Sequence, residues 1–164
     1  MAFHRVQPAS STPLKDRRIL VVEDDCFIAN AVADLLAKEG ADVFGPAATV
    51  EEGAQLAHYW PIDIAVMDLN LNGQRADDLV VELARKDITI VVVTGYDIKQ
   101  PVAENAFATV KKPFASAVLL DTLYRAATRA ERRPAVSTRA GPQIGPGRQE
   151  NDTPLTISPR HHFA

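Results

Sequence analysis

Residues 18–25 read Arg18-Ile19-Leu20-Val21-Val22-Glu23-Asp24-Asp25, a run of apolar side chains that ends in three consecutive acids. A short β-branched run of this kind predicts a buried strand, so the acids stand at its carboxyl end. The apolar residues that follow are expected to share one helical face, with Gly40 ending the helix. They are Phe27, Ile28, Ala31, Val32, Leu35 and Leu36. This stretch therefore predicts one strand followed by one helix.

The same alternation repeats along the chain. Thr49 and Glu52 have the spacing of a capping box, which predicts the start of the second helix. Further strands are predicted near 42–45, 62–67, 88–93 and 107–111, and further helices near 49–58, 76–85, 98–105 and 116–130. Strands that alternate with helices in this way favour a parallel sheet covered on both faces. The predicted fold class is α/β, a doubly wound (βα)₅ sheet.

The predicted elements all lie between residues 17 and 130, which we expect to form one domain. Residues 1–16 are rich in Ser, Pro and Gln, and residues 131–164 contain repeated Pro and Gly. Both segments have little apolar periodicity, so both are predicted to be disordered tails. No second set of apolar periods follows residue 130. An output domain is therefore not expected in this sequence.

Charge and composition exclude several classes of protein. Residues 1–130 hold 13 Lys and Arg against 18 Asp and Glu, an acidic balance that argues against a nucleic-acid partner. No apolar segment has the length of a signal peptide or a membrane span, so no membrane partner and a cytoplasmic location are expected. Cys26 is the single cysteine, which excludes an internal disulfide, and it is expected to be buried.

Polar residues follow the predicted strands where each strand ends. In an open parallel sheet the ligand site lies beyond the carboxyl ends of the strands, near the point where the strand order reverses. If the order is 2-1-3-4-5, the acids Glu23 and Asp24 after the first strand meet Asp68 after the third. Carboxylates so close repel one another unless a cation lies among them. Mg²⁺ suits this site because it binds few carboxylates and shares phosphate oxygens.

Asp68 then has a task that requires an ionised carboxylate, namely attack on phosphorus to form an acyl phosphate. Phosphoryl transfer depends mostly on positioning and on neutralisation of the oxygens by metal and cationic groups. Lys112 follows the fifth strand and supplies a positive charge, while the hydroxyl of Thr94, after the fourth strand, can donate to another oxygen. Pro113 permits a cis peptide bond after Lys112.

Four motifs in order resemble the receiver domain of two-component response regulators. They are VVEDD at 21–25, MDLNLNG at 67–73, VVVTGY at 91–96 and VKKPF at 110–114, and the resemblance spans about residues 17–130. It implies a flavodoxin-like sheet of order 2-1-3-4-5 and a sensor histidine kinase as partner. It also implies Asp68 as phosphoacceptor, Thr94 as switch hydroxyl, Lys112 as the active-site lysine, and Mg²⁺ bound by Asp24, Asp68 and the backbone carbonyl of Asn70, with Glu23 acting through water.

The sequence departs from the family pattern at one position. Receivers often carry Tyr or Phe three residues before the lysine, where Thr109 stands in this chain. Thr94-Gly95-Tyr96 instead resembles a receiver subclass that partners HWE and related sensor kinases. In that subclass the aromatic residue after the Thr takes the place of the usual switch aromatic.

The leading hypothesis is a stand-alone, single-domain response regulator. It is not an enzyme in the ordinary sense but a phosphoacceptor that assists its own phosphorylation and dephosphorylation, and it signals by touching a downstream protein. One alternative is a pseudo-receiver that interacts without phosphorylation. A haloacid dehalogenase-like phosphohydrolase is a third possibility, but such enzymes carry a second Asp two residues after the nucleophile, where this chain has Asn70.

Overall fold

A computed structural model of the chain describes residues 12–131. This part contains five helices and seven strands. In chain order they are β1 Arg18–Val22, α1 Cys26–Lys38, β2 Asp42–Ala47, α2 Val50–Tyr59, β3 Ile64–Met67, β4 Asn70–Leu71, β5 Gln74–Arg75, α3 Asp77–Arg85, β6 Thr89–Thr94, α4 Gln100–Asn105, β7 Ala108–Lys111 and α5 Ser116–Glu131. Within this range, no helix combines the length and apolar character needed to cross a membrane.

Five of the strands form one parallel sheet in the order β2-β1-β3-β6-β7. Ile19 of β1 lies opposite Val43 on one side and Ile64 on the other, and β6 pairs with β3 and β7. Without the two short strands β4 and β5, this is the predicted order 2-1-3-4-5. The doubly wound, flavodoxin-like α/β fold is therefore confirmed.

Alternate side chains of β1 enter two apolar cores, one on each face of the sheet. Leu20 is fully buried in the core that contains Leu79 of α3, whereas Ile19 is fully buried in the core that contains Leu36 of α1 and Leu123 of α5. All six residues of β6 are buried, as expected for a strand that is covered on both faces.

The first helix packs most of its predicted apolar face against the core, through Ile28, Val32, Leu35 and Leu36, but not the whole of it. Its buried residues are Ala29, Val32 and Leu36, while Phe27 is 84% exposed and Cys26 is also exposed. The predictions that Phe27 and Cys26 are buried are wrong. The physical reason is the helical repeat, because nine residues at about 100° each place Phe27 half a turn away from Leu36.

The folded part begins before residue 17. Leu14 is fully buried in the core beside α1 and α5, and the Thr12 hydroxyl donates a hydrogen bond of 2.6 Å to the Glu39 carbonyl. The Asp16 amide donates to the Gly40 carbonyl at 2.8 Å. Disorder is therefore a wrong prediction for residues 12–16, because one apolar side chain there has a site in the core. The predicted tails at 1–11 and 132–164 lie outside the described residues.

A second fixed contact joins the beginnings of β1 and β3. The Arg18 guanidinium donates to both carboxylate oxygens of Asp63, at 3.0 Å from Nε and 2.7 Å from Nη2, and the Arg18 amide donates at 2.9 Å. Burial alone would raise the pKa of Asp63, but the bonds from Arg18 outweigh burial and the pKa lies below its ordinary value. The pair therefore stabilises the amino-terminal ends of these two neighbouring strands.

Candidate active site

The carboxyl ends of the parallel strands bring the predicted site residues to one edge of the sheet. Glu23 and Asp24 follow β1 and Asp68 follows β3, and these two strands are neighbours. Thr94 ends β6, and Lys112 follows β7. The amide of Lys112 donates to the carbonyl of Thr94 at 3.0 Å, which joins the last two of these strand ends.

Three acids form a compact cluster at this edge. Glu23, Asp24 and Asp68 each offer one carboxylate oxygen, and the three oxygens lie within 4.8 Å of one another. Glu23 and Asp68 are buried, with 6% and 7% of their surfaces exposed, and Asp24 is half-buried. An oxygen cluster of this size matches the preference of a hard divalent cation. The convergence expected from the strand order is therefore observed.

Lys112 connects two of these acids. Its Nζ atom lies 2.6 Å from Oε2 of Glu23 and 2.8 Å from Oδ2 of Asp68. Burial alone would lower the pKa of Lys112, but the hydrogen bonds to both carboxylates outweigh burial and raise it. The side chain is thus an ammonium ion at neutral pH, held against the carboxylate of Asp68.

The pKa of Glu23 is raised, whereas an acid paired with a lysine ordinarily has a lowered pKa. Burial raises the pKa of Glu23, and the neighbouring charge of Asp68 adds to this rise, although Lys112 acts against it. Glu23 also accepts a hydrogen bond from the Asp25 amide at 3.3 Å, and Asp25 in turn caps α1 by accepting from the Phe27 amide at 2.9 Å. The loop after β1 is therefore fixed at both of its ends.

The hairpin of β4 and β5 supports the site from the other side of Asp68. Its turn residues Asn72 and Gly73 both have positive φ, 51° and 84°, as the tight turn of a two-residue hairpin requires. The Asn72 amide donates to Oδ2 of Asp24 at 2.9 Å. The turn at Asn72 and Gly73 therefore also holds one of the cluster carboxylates.

The hairpin pairing leaves the Asn70 carbonyl outside the ladder of hydrogen bonds. Asn70 lies opposite Arg75, and the next residues out are joined by a bond from the Ala76 amide to the Leu69 carbonyl at 2.9 Å. Bonded and non-bonded pairs alternate in an antiparallel ladder, so Asn70 and Arg75 form a non-bonded pair. The carbonyl oxygen of Asn70 therefore points away from β5.

Thr94 and the two positions considered for a switch aromatic lie at different depths. Thr94 is fully buried, and its hydroxyl oxygen accepts a hydrogen bond from the Tyr96 amide at 3.3 Å. Tyr96 has 55% of its surface exposed, and Thr109 is also exposed. The peptide bond between Lys112 and Pro113 is cis.

Residues 19–124 match the family described as the response regulator receiver domain. The chain belongs to this family. Receiver domains are typically phosphoacceptors rather than enzymes, they typically bind Mg²⁺ in an acidic pocket, and they imply a sensor kinase as partner. Among the described residues of this receiver, Glu23, Asp24 and Asp68 form such an acidic cluster.

A curated protein is similar to this receiver in sequence. Transcriptional regulatory protein PdtaR of Mycobacterium tuberculosis is 30% identical over 118 residues, which cover 69% of this chain and 58% of PdtaR. The chain thus spans less than two thirds of that relative's length.

Among solved structures, a CheY-like receiver domain from Methanospirillum hungatei JF-1 is 25% identical with a TM-score of 0.66, covering 71% of this chain and 98% of that one. The receiver domain of an HD domain-containing protein from Pseudomonas fluorescens Pf-5 is 17% identical with a TM-score of 0.66, covering 73% and 100%, and shows the shared fold alone.

Proposed function

We propose that this receiver accepts a phosphoryl group from the phosphohistidine of a sensor kinase on Asp68. The observation that carries the proposal is the contact of Asp68 with Lys112 at 2.8 Å inside a cluster of acids. An ionised carboxylate beside a fixed cation is a suitable nucleophile toward phosphorus, because the cation also attracts the oxygens of the incoming group.

The acidic cluster fits Mg²⁺ in the donor atoms that it offers. Asp24, Asp68 and the carbonyl of Asn70 would bind the ion directly, and Glu23 would act through water. When bound, Mg²⁺ neutralises charge on the transferring phosphoryl oxygens. The hydrogen bond from the Asn72 amide orients Asp24 for this role, and the carbonyl of Asn70 is left out of the hairpin ladder.

The transfer exchanges one bond to phosphorus for another. A carboxylate oxygen of Asp68 forms the new P–O bond while the P–N bond of the phosphohistidine breaks, and the bonding electron pair leaves with the imidazole nitrogen. Lys112 then donates to one phosphoryl oxygen. Thr94 is buried at the end of β6 and turns its hydroxyl toward a second oxygen after phosphorylation, which would end its present bond with the Tyr96 amide.

We infer that the output is a protein–protein interaction of the folded receiver domain. The acidic balance of residues 1–130, 13 Lys and Arg against 18 Asp and Glu, does not favour a nucleic-acid surface. Tyr96 lies exposed two residues after Thr94, so it is available to report a movement of that residue to a partner. The sequence Thr94-Gly95-Tyr96 supports an HWE-type kinase as the donor.

Acetyl phosphate provides the direct test because it phosphorylates without a kinase. Purified protein incubated with acetyl phosphate and Mg²⁺ should gain one acid-stable, base-labile phosphoryl group by intact mass, and Asp68→Asn should gain none. Asp63→Asn is the matched control, because Asp63 precedes the amino-terminal end of β3, whereas Asp68 follows its carboxyl end. This variant should gain the same amount of phosphoryl group as the wild type. Equal labelling of Asp68→Asn and wild type would overturn the assignment.

The pseudo-receiver alternative makes the opposite prediction. A phosphorylation-independent module would take up no phosphoryl group from acetyl phosphate and would bind its partner equally well in wild-type and Asp68→Asn form. A pull-down that compares phosphorylated protein with Asp68→Asn protein separates the two hypotheses, because a phospho-switch retains its partner differently in the two states.

A further inference from the structure

The hairpin β4–β5 carries a basic residue, Arg75, next to the phosphoacceptor. Arg75 lies directly opposite Asn70, which is two residues after Asp68. Side chains that face each other across an antiparallel pair lie on the same side of the ribbon, and they are closest in a non-bonded pair such as this one. Arg75 and Asn70 therefore project from the same face of the hairpin, at the rim of the site.

Arg75 has an acidic partner in the unphosphorylated chain. Its Nε and Nη2 atoms donate to the two carboxylate oxygens of Asp77 at 2.8 and 3.0 Å, and 38% of the Arg75 side chain is exposed. The hydrogen bond to Asp77 is the main reason why the pKa of Arg75 is raised, and the negative charge of Asp68 raises it further. The guanidinium therefore lies within the electrostatic field of the phosphoacceptor.

Phosphorylation changes the charge balance between these two acids. A phosphoryl group brings about 1.5 to 2 negative charges and three strong acceptor oxygens. Asp77 offers a single negative charge, and its partner Arg75 is exposed to solvent, which weakens the ion pair. Lys112 already contacts both Glu23 and Asp68, so its one ammonium group is shared. Beside Mg²⁺ and Lys112, a further cationic side chain is favoured at the phosphorylated site, and a planar guanidinium can donate to two acceptor oxygens at once.

We propose that Arg75 is, after Lys112, a second cationic side chain that binds the phosphoryl group on Asp68. Before phosphorylation, its guanidinium is bound to the carboxylate of Asp77 instead. The inference rests on Asp68 being the phosphoacceptor. No bond is made or broken at Arg75, which exchanges the Asp77 carboxylate for phosphoryl oxygens by rotating its side chain. The distance is compatible, because the Cα atoms of opposite residues in a non-bonded pair lie about 4.5 Å apart, and the two residues from Asp68 to Asn70 span at most about 7 Å.

Beryllofluoride with Mg²⁺ is the probe, because it mimics the phosphoryl group on an aspartate without chemistry. We expect Arg75→Ala to bind it about tenfold more weakly than wild type, the effect of one charge-assisted hydrogen-bonded contact. Arg75→Lys should fall between the two, since it keeps the charge but not the planar fork. Asp77→Asn should bind at least as tightly as wild type, because it releases Arg75.

The matched control is Arg125→Ala, which removes an arginine from an exposed ion pair with Asp121 on α5. It should leave beryllofluoride binding unchanged, and thermal unfolding of each variant verifies that it is folded. Two outcomes overturn the role of Arg75 while Asp68 labelling by acetyl phosphate stands: Arg75→Ala binding as wild type does, or Asp77→Asn weakening binding as much as Arg75→Ala. A wild-type chain that neither labels nor binds beryllofluoride overturns the phosphoacceptor assignment itself.

Discussion

The Nζ atom of Lys112 and the Oδ2 atom of Asp68 lie 2.8 Å apart although 44 positions separate the two residues in the sequence. The strands that precede them, β7 and β3, are not neighbours, because β6 lies between them. The contact therefore depends on the order of the whole sheet and on a lysine long enough to reach across one strand end.

Replacing Lys112 should separate phosphorylation from metal binding. We expect Lys112→Ala to slow labelling by acetyl phosphate about 100-fold, the typical effect of removing one electrostatic stabiliser of a transition state. Mg²⁺ affinity should not fall, because the lysine no longer competes for Glu23 and Asp68. The measurements are a labelling time course by intact mass and a Mg²⁺ titration followed by NMR.

Lys111→Ala is the control for that experiment, since the Lys111 side chain is 73% exposed and its nearest acid, Asp97, is 3.7 Å away. It should label at the wild-type rate. A Lys112→Ala protein that labels as fast as Lys111→Ala would remove the lysine from the mechanism.

The Arg18–Asp63 pair predicts a stability that depends on pH. Because the folded pKa of Asp63 is lowered, its contribution is present above the unfolded pKa of about 3.9 and is lost as pH falls through the folded pKa. Asp63→Asn should lower the free energy of unfolding by about 1–2 kcal/mol at pH 7, with allowance for the exposure of Arg18. Urea unfolding at a series of pH values measures the difference.

At low pH the wild type and Asp63→Asn should converge, since both then lack the charge. Asp121→Asn, which alters an exposed pair on α5, should change the stability by less than about 0.5 kcal/mol at any pH. A gap between wild type and Asp63→Asn that stays constant down to pH 2 would contradict the ionic explanation.

Leu14 predicts where the folded domain begins. Leu14→Ala should reduce the free energy of unfolding by about 2–4 kcal/mol, because a fully buried leucine is lost from the core. A chain that starts at residue 12 should unfold at the same urea concentration as the full chain, whereas one that starts at residue 17 should unfold earlier. Equal midpoints for the two truncations would argue against a structural role for residues 12–16.

The first helix offers a test of the face that packs against the sheet. Leu36 is fully buried and Phe27 is 84% exposed, although both lie on α1. Leu36→Ala should cost about 2–4 kcal/mol of stability, and Phe27→Ala should cost less than about 0.5 kcal/mol. Similar losses at the two positions, measured by urea unfolding, would restore the helical face expected from the apolar pattern.

Much of the fold could be predicted because the apolar patterns are local. The fully buried β6 and the Thr49 cap of α2 are each specified by a few adjacent residues, and the structure has both where the sequence indicates them. The pattern failed at Phe27 because this residue is apolar but lies half a helical turn away from Leu36, outside the stripe that packs on the sheet. It failed at Leu14 because one apolar residue in a polar segment has no periodicity.

The acids that meet at the carboxyl ends of the strands could be predicted from the sequence, but the contacts among the residues there could not. Asp68 could be identified as a polar residue after a buried strand, since parallel strands end at the same edge. The double contact of Lys112 could not, because it joins residues far apart in the sequence. Arg75 and Asn72 were missed for a related reason. Their positions follow from the hairpin, whose pairing the Asn72-Gly73 turn alone does not specify.

Arg18 and Asp63 clasp the beginnings of β1 and β3, while Glu23 and Asp68 follow the ends of the same two strands. The ion pair and the reactive acids thus lie at opposite ends of the same two strands. A chain weakened by changes near Asp68 can accordingly be rescued from the far end, without touching the reactive groups. Laboratory evolution of a destabilised variant should then enrich stabilising replacements around Arg18 and Asp63. Stability gained at the beginnings of these strands would allow more substitutions near Asp68 at their ends.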